Sequence, residues 1–130
     1  MPSILIIEDD DIFREALADA LAARGFTVTQ AEDGQKGLKS FRTAPTDLVI
    51  TDLVMPNEEG LATIRALRRD WPELGIIAMS GGLAHDPALY LKFAGAFGAD
   101  LTLQKPFDLP TLVASIDEVL AATGRDKPTP

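Results

Sequence analysis

The sequence predicts an α/β fold in which helices flank a parallel β-sheet. Apolar runs of strand length alternate along the chain with segments whose apolar residues recur at helical spacing, which is the pattern of βαβ units. The run ILII near the N-terminus is unbroken rather than alternating, as is typical of a strand buried on both faces. A chain of 130 residues is long enough for one domain with its own hydrophobic core.

The first two strands and the helix between them follow from apolar spacing. The first strand is Ser3–Ile7. A helix is predicted from about residue 10 to residue 24, because Phe13 begins an apolar stripe that repeats every three or four positions. Gly25 is placed to end this helix in the left-handed conformation. The second strand, Phe26–Ala31, alternates only in part, so we expect it nearer an edge of the sheet.

The middle of the chain contains two predicted helices around a third strand. The first is short and covers residues 34–41, although it includes two glycines. The third strand is Asp47–Thr51, and the turn after it is built on Met55-Pro56-Asn57. The next helix ends before Pro72, since the residue that precedes a proline is disfavoured in the helical conformation.

The last part of the chain completes the alternation. The fourth strand is Gly75–Met79, a helix is expected near Leu89–Ala96, and the fifth strand is Leu101–Gln104. Asp108 can cap the final helix, which has a continuous apolar face and ends at Gly124. We therefore expect one domain over residues 1–124 and a flexible polar tail over residues 125–130.

Composition excludes several classes of protein. A net charge of −8 argues against direct binding to nucleic acid, and Arg65, Arg68 and Arg69, the densest basic group, are expected on the solvent face of a helix. No apolar stretch approaches the length of a membrane span, and the N-terminus does not resemble a signal peptide. The chain has no cysteine, so disulfides and thiolate metal sites are excluded. We expect a cytoplasmic protein without membrane insertion.

Polar side chains follow four of the five predicted strands. Glu8 and Asp9 come after the first strand, Asp52 after the third, Ser80 after the fourth and Lys105 after the fifth. The carboxyl ends of parallel strands lie along one edge of a sheet, where such sheets bind their ligands. Carboxylates are the hard oxygen ligands that Mg²⁺ takes, and an ammonium group can pair with phosphate. These side chains therefore predict a site for a divalent cation and a phosphoryl group.

The chain resembles the receiver domains of two-component response regulators. The segments that carry the resemblance are ILIIEDDD, DLVITDLVMPNEEGL, IIAMSGG, GAD and LQKPF. It implies a flavodoxin-like three-layer sandwich with strand order 2-1-3-4-5, five helices and a cis peptide bond between Lys105 and Pro106. The resemblance also implies that Asp52 is the phosphoacceptor, and that Glu8, Asp9, Asp52 and the Val54 backbone carbonyl are Mg²⁺ ligands. Ser80 would be the hydroxyl that moves toward the phosphoryl group, and Lys105 would be the cationic partner of that group.

The resemblance further implies a function and its partners. Asp52 would take a phosphoryl group from a phosphohistidine on a histidine kinase or phosphotransfer protein, and the domain would then switch a surface that binds a downstream protein. Such a domain is a switch and not an enzyme. Two other interpretations stay open within the family: the chain is part of a longer regulator, or it is a docking module that works without phosphorylation.

Two departures from the family pattern concern the output of the signal. Thr102 stands where the family usually has an aromatic residue or a histidine, and the segment between Ser80 and Gly98 is longer than usual. We interpret His85, in that segment, as a solvated loop residue. Outside the family, a metal-dependent phosphatase or phosphotransferase with an aspartyl nucleophile is disfavoured, because Val54 stands where such enzymes usually have a second aspartate. A flavin-binding protein is disfavoured because Glu8 and Asp9 would repel its phosphate.

Overall fold

The computed structural model describes residues 2–53, 59–81 and 87–123, with the side chains of residues 59 and 87–91 left out of that description. Strands and helices alternate along the chain. The strands are β1 (Ser3–Ile7), β2 (Thr27–Ala31), β3 (Leu48–Asp52), β4 (Gly75–Ser80) and β5 (Leu101–Gln104). The helices are α1 (Asp11–Ala23), α2 (Gly34–Thr43), α3 (Glu59–Asp70), α4 (Pro87–Phe97) and α5 (Leu109–Thr123). Within the described residues, no helix is long and apolar enough to cross a membrane.

The five strands form one parallel sheet in the order β2-β1-β3-β4-β5. Alternate residues of β1 point to opposite faces and join two separate apolar clusters. Ile4 packs with residues of α1 and α5 on one face, whereas Leu5 packs with residues of α2, α3 and α4 on the other. The predicted three-layer sandwich and its strand order are thus confirmed. Four of the five residues of β1 are buried, as its unbroken apolar run predicts.

Several helix ends form as their sequences predict. After α1, Gly25 has φ 97°, and its N–H and that of Phe26 donate hydrogen bonds to the carbonyls of Ala22 and Leu21. This pair of bonds satisfies carbonyl groups that the helix itself leaves unpaired. At the start of α5, the Asp108 carboxylate accepts a hydrogen bond of 2.8 Å from the N–H of Thr111. These caps fix where the helices meet the loops at the two ends of the sheet.

One prediction about the basic residues of α3 is wrong. Arg65 and Arg69 are exposed, but the Arg68 side chain is only 22% exposed and lies across the ends of several elements. Its guanidinium donates five hydrogen bonds of 2.7–2.9 Å, to the carbonyls of Pro72, Leu74 and Gly98 and to the carboxylate of Asp100. The planar group has five donors in a fixed arrangement, so it can pair several carbonyl groups at once.

Several predicted strand boundaries shift by one residue, and β2 and β3 begin at Thr27 and Leu48 rather than at Phe26 and Asp47. Asp52 and Ser80 are the last residues of β3 and β4, because Asp52 stays in register with Met79 and Ser80 with Gln104. The parts of the prediction that fall outside the described residues are the turn over 55–57, His85, the helix end at 124 and the tail over 125–130.

Candidate functional site

The carboxyl edge of the sheet brings together the side chains that the sequence singles out. Glu8 follows β1 directly, Asp52 ends β3, and Lys105 follows β5. Glu8 and Asp52 are 1% and 4% exposed, whereas Asp9 is exposed to solvent. Two carboxylates are thus held in the interior at the edge of the sheet, with a third at the surface beside them. Buried carboxylates are costly unless positive charge or hydrogen bonds accompany them.

The three carboxylates lie close enough to share a cation. One oxygen from each of Glu8, Asp9 and Asp52 falls within 4.8 Å of the other two. Mg²⁺ prefers oxygen ligands of this kind, commonly binds through one or two carboxylates and keeps several of its waters. The donor set therefore fits a hard divalent cation. The Val54 carbonyl, which the sequence also suggests as a ligand, lies outside the described residues.

Lys105 supplies the positive charge that faces the two buried carboxylates. Its Nζ lies 2.5 Å from Oε1 of Glu8 and 3.5 Å from Oδ1 of Asp52. Burial nevertheless raises the pKa of Glu8 to about 7, and the Lys105 hydrogen bond offsets only part of this effect. The pKa of Asp52 is also raised, again mainly by burial and against the charge of Lys105. Both shifts indicate that the charge of Lys105 alone does not offset the cost of burying the two carboxylates.

The ends of β4 and β5 hold Lys105 and Ser80 in a fixed relation. The backbone N–H of Lys105 donates a 2.7 Å hydrogen bond to the carbonyl of Ser80, and the Lys105–Pro106 peptide bond is cis, as the family resemblance implies. Gly81 permits this contact because a Cβ there would lie 2.6 Å from the Cβ of Lys105. The Ser80 hydroxyl is fully buried and has no hydrogen-bond partner among the described residues. The hydroxyl can therefore donate a hydrogen bond to a group bound at this edge of the sheet.

Sequence reasoning missed two residues of α1 that contact the site. Arg14 donates a 2.8 Å hydrogen bond to the backbone carbonyl of Glu8 and is also bound by Asp11 and Gln30. Phe13, which the sequence assigns only to an apolar stripe, has its ring centre 4.4 Å from Nζ of Lys105. The sequence feature that could have identified both residues is their position in the first turns of the helix that directly follows the acidic residues.

Thr102, the departure from the family pattern on β5, is partly exposed and lies opposite Ala78 in the sheet. A threonine at this position offers no ring that could move between exposed and buried positions.

Comparison with known proteins relates most of the chain to one family. The family model described as the response regulator receiver domain matches residues 4–117. Transcriptional regulatory protein CseB of Streptomyces coelicolor is 37% identical over 121 residues, which cover 93% of this chain and 50% of that protein. Response regulator MprA of Mycolicibacterium vanbaalenii is 35% identical over 124 residues, which cover 95% and 52% of the two chains. The chain thus spans about half the length of these relatives.

Solved structures show the same architecture. A response regulator receiver domain protein from Clostridium thermocellum superposes with a TM-score of 0.87 at 25% identity, over 95% of this chain and 98% of that one. The receiver domain of NtrX from Brucella abortus gives a TM-score of 0.84 at 25% identity, over 91% and 98% of the two chains. The likeness in fold therefore extends over nearly the full length of isolated receiver domains.

Proposed function

This chain belongs to the response regulator receiver domain family, and on that premise we propose that Asp52 accepts a phosphoryl group in a Mg²⁺-dependent reaction. One observation carries the proposal. Asp52 is buried, shares a cluster of three carboxylates with Glu8 and Asp9, and has the ammonium of Lys105 3.5 Å from its carboxylate. A carboxylate placed between a cation site and a lysine can act as a nucleophile toward phosphorus.

The chemistry follows from what each side chain can do. A carboxylate oxygen of Asp52 attacks the phosphorus of a phosphohistidine on the donor protein, and the O–P bond forms as the P–N bond breaks. The imidazole leaves with the bonding electrons and takes up a proton from water. Lys105 stabilises the charge on the phosphoryl oxygens, and the Ser80 hydroxyl donates a hydrogen bond to the acyl phosphate.

Glu8, Asp9 and Asp52, together with the Val54 carbonyl, are the residues that would hold Mg²⁺. The bound ion would supply positive charge against the phosphoryl oxygens. Asp9 is exposed, so its carboxylate would reach the ion from the solvent side of the cluster.

The acceptor is tested by chemical phosphorylation and intact-mass spectrometry. Incubation with phosphoramidate and Mg²⁺ is expected to add one phosphoryl group to the wild type and none to Asp52→Asn. Asp19→Asn is the matched control, because Asp19 is an exposed residue of α1, so the same change there should leave labelling intact. Labelling of Asp52→Asn to the wild-type level would refute the assignment. Absence of labelling in the wild type would instead favour the docking module that works without phosphorylation.

The phosphodonor and the output are also part of this proposal. We propose that a histidine kinase or a histidine phosphotransfer protein supplies the phosphoryl group, and that the phosphorylated domain binds a downstream protein without direct contact to nucleic acid. Two features support this: the family of the chain and its net charge of −8. No turnover of an external substrate is proposed.

A further inference from the structure

Phe13 contacts the lysine of the site through the face of its ring. The ring centre lies 4.4 Å from Nζ of Lys105, within the roughly 6 Å over which a cation is attracted to an aromatic face. Phe13 is the third residue of α1, and its N–H donates a 3.1 Å hydrogen bond to the capping carboxylate of Asp10. The cap thus fixes the backbone from which the ring reaches Lys105.

This contact differs in kind from the other contacts of the ammonium. Glu8 lies at hydrogen-bond distance from Nζ of Lys105, and Asp52 lies 3.5 Å away. An aromatic face attracts the charge without taking a directional hydrogen bond from an N–H group. The three donors of the ammonium therefore remain free for oxygen atoms while the ring holds the group in place.

A second ring supports the first. Phe107, two residues after Lys105, packs against Phe13 in an edge-to-face arrangement with centroids 6.2 Å apart and planes at 83°. Both rings also pack against the apolar cluster that α1 and α5 share. Phe13 therefore has packing partners other than Lys105 that hold its ring.

We propose that Phe13 is a positioning residue that keeps the Lys105 ammonium directed at the carboxylates and at the incoming phosphoryl group. The Lys105 side chain is 21% exposed, so without the ring its flexible stem could turn the ammonium toward water. Loss of the attraction lowers the fraction of molecules in which Lys105 is ready to stabilise phosphoryl transfer. The inference rests on the proposed function of Asp52 and adds a residue to that site.

The decisive test changes the charge distribution of the ring while nearly preserving its shape. Phe13 is replaced by phenylalanine analogues with one, two and three ring fluorines, which progressively weaken the negative face. We expect the rate constant for phosphorylation by phosphoramidate at saturating Mg²⁺ to fall with each fluorine, by about fivefold in total. Phe13→Leu should show a similar loss, and Phe13→Tyr should remain within about twofold of the wild type.

A matched series at Phe26 controls for the effect of fluorine on packing. Phe26 is partly buried against the same apolar cluster but follows the far end of α1, away from the carboxyl edge of the sheet. Its fluorinated forms are expected to react at the wild-type rate. A readout that needs neither metal nor phosphoryl group is the proton resonance of the Lys105 ε-methylene, which the Phe13 ring should shift upfield and Phe13→Leu should restore.

The possible outcomes separate this inference from the proposed function. If the wild type is not phosphorylated, the proposed function of Asp52 fails. If the wild type is phosphorylated but the rate does not change across the Phe13 series, only the positioning role fails. Equal decline in the Phe13 and Phe26 series would also overturn the role, because it would trace the effect to packing.

Discussion

Replacing Glu8 by glutamine should change how the stability of the metal-free protein depends on pH. Burial raises the pKa of Glu8 from its ordinary value of 4.5 to about 7 in the folded state. Between these two values the unfolded chain releases the proton of Glu8 and the folded chain keeps it. The free energy of unfolding of the wild type therefore falls as pH rises through this interval and is level above pH 7.

The size of the effect follows from the width of that interval. At about 1.4 kcal/mol per pH unit, the free energy of unfolding decreases by about 3 kcal/mol in total. About 2 kcal/mol of this decrease occurs between pH 5.5 and about pH 7. Glutamine has the shape of glutamic acid but does not ionise, so Glu8→Gln should lack this loss. The carboxyl of Glu8 hydrogen-bonds to Asp52, and the glutamine amide can donate to Asp52 in its place. Lys105 keeps Asp52 as a partner. The variant should therefore gain stability over the wild type as pH rises.

Urea unfolding in the presence of a chelator, at steps from pH 5.5 to pH 8, measures this difference. The free energy of unfolding of Glu8→Gln relative to the wild type should increase by about 2 kcal/mol over that range. Glu118→Gln on α5 is the control, because it removes the same formal charge from an exposed position. Parallel stability curves for Glu8→Gln and the wild type would refute the reasoning, since burial would then not govern the ionisation of Glu8.

Three further predictions concern other residues of the site. Ser80→Ala should raise the free energy of unfolding by about 1 kcal/mol, because it removes a buried hydroxyl that has no hydrogen-bond partner among the described residues. An unchanged or lower midpoint of urea unfolding would contradict this prediction. Asp9→Ala should abolish Mg²⁺ binding in isothermal titration while leaving the fold intact, and retention of wild-type affinity would move the ligand role to Asp10. Val54→Asn should hasten loss of the phosphoryl group from Asp52, since an amide can orient the attacking water and an aliphatic side chain cannot. If the phosphorylated forms of the wild type and of Val54→Asn decay at the same rate in intact-mass spectrometry, another group positions the water.

The sequence was most informative where a single local rule determines the structure. Gly25 ends α1 because only a residue that tolerates positive φ can form the two closing hydrogen bonds there. Asp108 caps α5 for an equally local reason. The convergence of Glu8, Asp52 and Lys105 could also be predicted, because parallel strands necessarily end at the same edge of the sheet.

The sequence was least informative where a side chain acts across several elements. Arg68 looks like an ordinary charged residue of a helix, and nothing local reveals that Leu74, Gly98 and Asp100 come within reach of its guanidinium. Phe13 fits an apolar stripe equally well whether or not a lysine lies over its ring. Such contacts depend on how helices and loops pack in three dimensions, which periodicity alone does not specify.

The bonds of Arg68 also join α3 to the residue that follows α4. Two of them hold the carbonyl of Gly98, directly after the C-terminal end of the helix, while others hold the carbonyl groups of Pro72 and Leu74 between α3 and β4. If α4 were to rotate about this joined end, its displacement would be smallest at Gly98 and largest at Pro87. Eleven helical residues make an arm about 16 Å long, on which a tilt of about 10° displaces the free end by about 3 Å. The guanidinium of Arg68 would be the pivot of such a rotation.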